Sequence, residues 1–217
     1  MSSYNWISAV YEKATFVAFD TETTGLKPGI DRVIEIGAIK FDHNGIIARM
    51  NVLINPEMPI PKEATEVNHI TDEMVKNKPT MATVIFDFLA FIKNCILVIH
   101  NASFDISMMN AELKRLGGSE LKNKVFDTLI FSREVYPGFP SYALQNLAKS
   151  FDITVCDAHR AEDDSHVCMH LFFKAVKHFF EEDASMLENY RRQVNVDDYL
   201  ITPSPVFAKV AHEQSLF

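Results

Sequence analysis

Three short acidic segments follow one another along the chain: Phe-Asp-Thr-Glu-Thr-Thr-Gly at Phe19–Gly25, His-Asn-Ala-Ser-Phe-Asp at His100–Asp105, and His-Arg-Ala-Glu-Asp-Asp at His159–Asp164. Each lies where an apolar stretch begins or ends. Carboxylates near a core lose hydration that only cations or hydrogen bonds can replace. Binding divalent metal is the chemistry such a placement serves. Asp20 and Glu22 are two apart at the end of a strand-like run, so their side chains project from one face and can converge on one ion. Asp105 enters at the start of a helix, and Asp164 from the first turn of a later one. Four carboxylates about 4 Å apart repel by about 4 kcal/mol per pair at an effective dielectric of about 20. Two divalent cations would hold such a set together, and all-oxygen ligation favours Mg²⁺ or Mn²⁺ over zinc.

His159 lies five residues before Asp164, in the loop that leads into the helix. A neutral imidazole there could take a proton from a water attacking a phosphodiester; the alternative is a surface histidine at a helix entry. His166 and His170 have no such acidic partner and read as structural or exposed. His100, at a strand end, reads as a loop hydrogen-bonding group.

The elements that must position these residues are legible in the apolar pattern. Thr15–Phe19, Arg32–Phe41 and Ile46–Ile54 have strand composition, the last two separated by Asp-His-Asn-Gly at 42–45, which predicts a strand beside a hairpin. Met81, Val84, Ile85, Phe88, Phe91 and Ile92 recur at helical spacing, and Ile96–Ile99 reads as a short buried strand. A helix packing through Ile106, Met109, Leu113 and Leu116 ends at Gly117 and Gly118. Lys124–Asp127 predicts another strand, with helices near 128–135 and 141–150 and with Asp127 either an N-cap or a site residue. In the long helix that follows, Cys168, Leu171, Phe172, Ala175, Val176 and Phe179 form one stripe. Asp164 falls within roughly 50° of the centre of that stripe at ~100° per residue, while Asp163 faces the opposite way. Geometry therefore selects Asp164 as the inward acid.

The 217 residues are 47% hydrophobic, enough for one core, and divide into a domain over 1–182 and a C-terminal tail over 183–217. No run approaches the ~20 apolar residues of a membrane span, and no secretory signal is evident, so the expectation is a cytoplasmic protein without membrane contact. Cys95, Cys156 and Cys168 show no paired spacing, which argues against a disulfide framework or zinc ribbon. Cys156 and His159 form a lone Cys-x-x-His pair, read as a thiol near a loop histidine. A net charge of −8 is unusual for a nucleic-acid protein. Bound cations would offset it locally, with Lys114, Arg115, Lys122, Lys124 and Arg160 as candidate basic contributors.

The three segments resemble the motifs of the DEDDh branch of DnaQ-like 3′→5′ exonucleases, with Asp20 and Glu22 in the first, Asp105 in the second, and His159 and Asp164 in the His-x-Ala-x-x-Asp pattern of the third. The likeness runs over about residues 14–180 and includes Arg-Val-Ile-Glu-Ile-Gly-Ala at 32–38. It implies an α/β, ribonuclease H-like fold: a mixed central sheet with an antiparallel hairpin, flanked by helices. It also implies two divalent cations held by Asp20, Glu22, Asp105 and Asp164, with His159 as general base. The products would be nucleoside 5′-monophosphates released from a 3′ end.

The backbone after the first motif makes Thr23, Thr24 and Gly25 substrate contacts by the same resemblance, and Asn101 and Phe104 of the second segment join them. Where many members carry a His-Gly-Ile-Thr-like stretch, this chain departs with Asn68-His69-Ile70-Thr71. Asn68 and Ile70 are the elements carried over, Ile70 as an apolar wedge for a frayed base or, alternatively, as ordinary core. Within the family, the first motif and Val-Phe-Asp-Thr-Leu at 125–129 look most like the proofreading exonucleases of bacterial replicative DNA polymerases, acting on single-stranded or frayed DNA 3′ ends. An exoribonuclease of the RNase T or oligoribonuclease type is the alternative, and a non-catalytic polymerase or clamp adaptor a third reading. Glu-Gln-Ser-Leu-Phe at 213–217 resembles peptides that dock in sliding clamps, although Glu213 stands where a Gln is usual. The tail is thus a candidate segment for binding a polymerase catalytic subunit or a clamp.

Overall fold

A five-stranded sheet organises the described residues, running from β3 (Gly45–Leu53) through β2 (Val33–Asp42), β1 (Phe16–Thr23) and β4 (Ile96–Ile99) to β5 (Val125–Asp127). The computed structural model describes residues 3–155, 159–182, 197–203 and 205–207. β1 (Phe16–Thr23) pairs antiparallel with β2 (Val33–Asp42), which pairs antiparallel with β3 (Gly45–Leu53). β4 (Ile96–Ile99) and β5 (Val125–Asp127) add in parallel on the other side of β1. The hairpin turn forms where Asp42 Oδ1 accepts the Asn44 and Gly45 amides at 2.7 and 3.2 Å. The mixed sheet with its antiparallel hairpin is the architecture the sequence predicts.

Both faces of β1 are covered, which is why Phe16, Val17, Ala18 and Phe19 are all buried. Phe16 and Ala18 join a cluster with Cys168, Phe172 and Val176 of α8 (Ala161–Glu182). Val17 and Phe19 pack on the other face, against Phe88 of α4 (Met81–Ile92) and Met108 and Met109 of α5 (Ala102–Arg115). The apolar stripe of α8 is buried where its spacing predicts, Leu171 packing in a separate cluster around α7 (Leu144–Ser150).

α6 (Thr128–Val135) begins at Asp127, whose carboxylate accepts the Leu129 and Ile130 amides. The same carboxylate accepts the Asn101 and Ala102 amides at the start of α5. Asp127 is therefore a cap serving two helices. α7 starts three residues later than the predicted 141–150 segment, because Ser141 Oγ takes the Ala143 amide and turns the chain before Leu144.

Four short helices among the described residues go beyond the sequence reading: α1 (Ile7–Val10), α2 (Lys62–Asn68), α3 (Asp72–Val75) and one in the C-terminal segment. Helical periodicity cannot reveal them, since α2 buries only Asn68 and α3 only Val75. No helix among the described residues is long and apolar enough to cross a membrane.

The described part of the C-terminal segment lies against the domain. A short helix α9 (Asp197–Leu200) places Tyr199 in a stack on Trp6, with centroids 5.3 Å apart and planes 4° from parallel. Beyond it, Thr202 N donates to Asn94 Oδ1, Ser119 N to the Val206 carbonyl, and Phe207 packs on Phe86. Cys156, Glu213, Leu216 and Phe217 lie outside the described residues.

Candidate active site

Strand alternation continues past Phe19 and divides the acids between the two faces of the sheet. Asp20 and Glu22 share the parity of Phe16 and Ala18 and so fall on the α8 face. Thr21 shares the parity of Val17 and Phe19 and falls on the α5 face. Asp164, in the first turn of α8, is only 6% exposed and meets the first pair: ligand oxygens of Asp20, Glu22 and Asp164 all lie within 4.8 Å of one another. Asp163 lies outside that group, as the helix-face argument predicts.

Asp105 does not join the three. It approaches from α5, buried, and its Oδ1 accepts both the Thr21 amide at 3.0 Å and the Thr21 hydroxyl at 2.8 Å. Three of the four expected acids share the 4.8 Å group, and Asp105 is anchored beside them on Thr21, the residue between Asp20 and Glu22. Its charge is still felt, as the largest neighbouring contribution at Asp20.

Electrostatics describe a site short of positive charge. Burial, then the charges of Asp105, Asp164 and Glu22, push the Asp20 carboxyl well above its ordinary range. Burial, followed by Asp164 and Glu35, raises Glu22 to about 8, and Asn68 opposes this by hydrogen bonding. Asp105 is raised by burial to about 7 against the pull of its Thr21 bonds, and burial also raises Asp164. Hard cations fit this donor set: all the ligand atoms are carboxylate oxygens, and their mutual repulsion is what a divalent ion relieves.

The first turn of α8 is pressed onto β2. A Cβ added at Gly37 would sit 2.1 Å from the Ala161 carbonyl carbon and from Glu162 N, so only glycine permits this approach. Ser165 Oγ donates to the Gly37 carbonyl at 2.8 Å. Glu35, fully buried, accepts Arg160 Nη2 at 2.6 Å, Arg160 Nε at 3.1 Å and the Ala161 amide at 3.2 Å. His159 precedes this clamp with φ +63° and an exposed side chain, and its amide donates to Asp164 Oδ2 at 3.2 Å. The Gln145 side-chain amide from α7 donates to Asp164 Oδ1.

Beside the acids opens a pocket of about 390 Å³ whose lining includes Glu22, Thr24, Gly25, Val67, Asn68 and Phe104. Leu26 and Val67 stand at it 79% and 54% exposed. The carboxylate group therefore borders an apolar recess that can receive a flat ring.

Residues 17–172 match the family model described as Exonuclease. The chain belongs to the exonuclease family. It is 50% identical over 182 residues to DNA polymerase III subunit epsilon of Treponema pallidum, covering 83% of this chain and 85% of that one. It is 38% identical over 181 residues to the PolC-type DNA polymerase III of Halalkalibacterium halodurans, where 83% of this chain spans only 13% of the relative. Among solved structures, Exonuclease X in complex with 5′ overhanging duplex DNA aligns with a TM-score of 0.63 and 26% identity, over 75% of this chain and 91% of that one. The fold is the ribonuclease H-like fold of these exonucleases, and the chain is a nuclease of a family that depends on divalent metal.

In this exonuclease the expected substrate contacts separate into two groups. Thr23, Thr24, Gly25, Asn68 and Phe104 all line the pocket. Ile70 does not. It is fully buried with Ile34, Ile60 and Val75, which corrects its reading as a wedge: no face of it is free to meet a base. Asn68 carries that loop's contribution instead, with Nδ2 on the Thr23 carbonyl at 3.3 Å and Oδ1 accepting the Ile70 amide. Asn101 is exposed at the start of α5, with φ +65°, outside the pocket lining.

The basic candidates are largely committed elsewhere. Arg160 is on Glu35, Arg115 on Glu112 at 2.6 Å, and Lys124 lies over the Trp6 and Tyr199 rings. Lys114 and Lys122 line a separate groove along α5. His100 is held between Thr128 Oγ1 and the Tyr142 carbonyl, as a loop histidine. Sequence reasoning missed Glu35, Gln145, Thr21, Leu26 and Val67. Only Glu35 carried a signal, an acid in the middle of the otherwise apolar run Val33–Ala38.

Proposed function

We propose that this chain is a 3′→5′ proofreading exonuclease of the DNA polymerase III epsilon kind, removing nucleoside 5′-monophosphates from frayed DNA 3′ ends. The observation that carries the reading is the convergence of Asp20, Glu22 and Asp164 within 4.8 Å beside an apolar pocket, in a chain half identical to an epsilon subunit over most of both lengths. Asp20, Glu22 and Asp164, with Asp105 released from or shared with Thr21, are the residues that would hold two Mg²⁺ or Mn²⁺ ions. Such ions, when bound, supply positive charge against the phosphate and lower the cost of forming the nucleophile.

The chain's own groups do the rest. Phe104 and Val67 offer apolar surface to the terminal base, and the backbone of Thr23–Gly25 forms the wall beside it. His159, exposed and tied through its backbone amide to Asp164, is the residue this reading assigns to accept a proton from the attacking water. A base engages this pocket only when unpaired from its complement, and that requirement favours mismatched ends, whose unpairing costs least.

A polymerase catalytic subunit is the partner this reading assigns, and the apolar ending at Leu216 and Phe217 is the segment assigned to a clamp or polymerase. Deleting those two residues should weaken association and leave turnover unchanged. The test of the reaction is digestion of 3′-labelled DNA and RNA of matched sequence with Mg²⁺, Mn²⁺ or a chelator. Metal-dependent loss of DNA 3′ nucleotides, faster at a mismatched end, is the expected result. Faster digestion of RNA would overturn the proofreading assignment in favour of an exoribonuclease.

A further inference from the structure

His166 and His170, which lack the acidic partner of His159, meet each other. Their Nε2 atoms are 3.1 Å apart on adjacent turns of α8, both half-buried, with ring planes at 67°. Two imidazole nitrogens bound to one first-row cation at about 2.0–2.1 Å lie about 2.9 Å apart at a right angle and about 3.4 Å at the tetrahedral angle. The observed separation falls between those limits. Histidines at i and i+4 on one helix face are also the arrangement by which helices chelate zinc.

A third donor stands in the same row. Glu162 is four residues before His166, and its Oε1 now meets Arg49 Nη1 of β3 at 3.1 Å. That ion pair is 44% and 32% exposed, so solvent screens it and breaking it costs little. Rotation of Glu162 toward the histidines would complete a two-nitrogen, one-oxygen face, leaving the remaining positions to water.

We infer that Glu162, His166 and His170 form a second metal site, specific for borderline transition ions such as Zn²⁺, Ni²⁺ or Cu²⁺ and distinct from the hard-cation carboxylates. Neutral imidazoles bind Mg²⁺ poorly and these ions well. Arg49 and Lys174, whose charges act on the pair, disfavour weakly held hard cations further. An ion clamped across two turns of α8 would stiffen the helix whose first turn carries Asp164.

Calorimetric titration of the full chain with ZnCl₂ and NiCl₂, in saturating Mg²⁺ and in a Cys156→Ser background, tests the site. One equivalent should bind with a rise in melting temperature, and the imidazole NMR signals of both histidines should shift together. His170→Gln and His166→Gln should each weaken binding at least tenfold, and neither should alter Mg²⁺-dependent turnover. Glu162→Gln should weaken it less. Zinc binding unchanged in the double histidine variant, or no equivalent bound in saturating Mg²⁺, would overturn the proposal.

Discussion

Glu22 and Glu35 stand directly opposite each other across the β1–β2 ladder, two carboxylates on the same face of one sheet. Like charges in that position are destabilising unless answered. The answer is Arg160, whose guanidinium grips Glu35 through both its oxygens while the Ala161 amide takes one of them again. The same residues hold the loop of His159 and the first turn bearing Asp164. One ion pair thus compensates the sheet and positions two elements of the site.

Removing Arg160 should therefore cost both stability and activity. Arg160→Ala leaves a fully buried carboxylate with one backbone donor, and breaking a buried pair in this way costs about 3–5 kcal/mol, toward the lower end here because Arg160 is 27% exposed. Denaturant melts should show that loss. Turnover should fall at least tenfold at saturating DNA, and Arg160→Lys should restore more of the stability than of the rate, because a lysine cannot grip both oxygens. Equal rates for Arg160→Ala and the parent chain would break the link to positioning.

Much of this site is legible in the sequence, for specific reasons. Strand parity pairs Asp20 with Glu22 and helix phase separates Asp164 from Asp163, because period 2 and period 3.6 are local properties. The anchoring of Asp105 on Thr21 was not legible, because the helix carrying Asp105 is brought against β1 by packing alone. Ile70 looked identical in sequence as wedge or core, and only the placement of Ile34, Ile60 and Val75 around it decides. Gln145 reaches Asp164 from a different helix, a contact no spacing encodes.

Helix phase makes a sharp mutational contrast. Asp164→Ala should abolish metal-dependent digestion, by about 10³-fold or more, since it removes a carboxylate from the group of three. Asp163→Ala, outside that group, should retain most of the parent rate. Comparable losses at both positions, measured on the same 3′-labelled DNA, would reverse the assignment.

Thr21 should tune the metal affinity of a carboxylate it touches. Thr21→Val keeps the amide bond to Asp105 but removes the hydroxyl donor at 2.8 Å. Hydrogen bonds to charged groups contribute about 1.5–3 kcal/mol, and loss of such an outer support typically costs about 10–100-fold in metal affinity. The Mg²⁺ concentration for half-maximal digestion should rise about tenfold, with turnover largely recovered at high Mg²⁺. Thr21→Ser should behave like the parent chain.

The raised carboxyls set the pH dependence of the metal-free protein, and the sign runs opposite to ordinary acid denaturation. In the folded chain Glu22 is raised from 4.5 to about 8 and Asp105 from 3.8 to about 7, burial being the first cause of each. Unfolding returns both to their ordinary values. Between about 4 and about 8, then, the folded chain binds more protons than the unfolded one, and stability falls as pH rises through that window. Thermal melts in chelator should show the midpoint decreasing from pH 5 to pH 8 by several degrees, a shift on the order of 2–4 °C per kcal/mol for a chain of this size. Saturating Mg²⁺ should flatten the slope, because a bound cation favours the ionised carboxylates and so removes the folded-state proton uptake. A midpoint that rises with pH in chelator would show that these acids are ionised without metal.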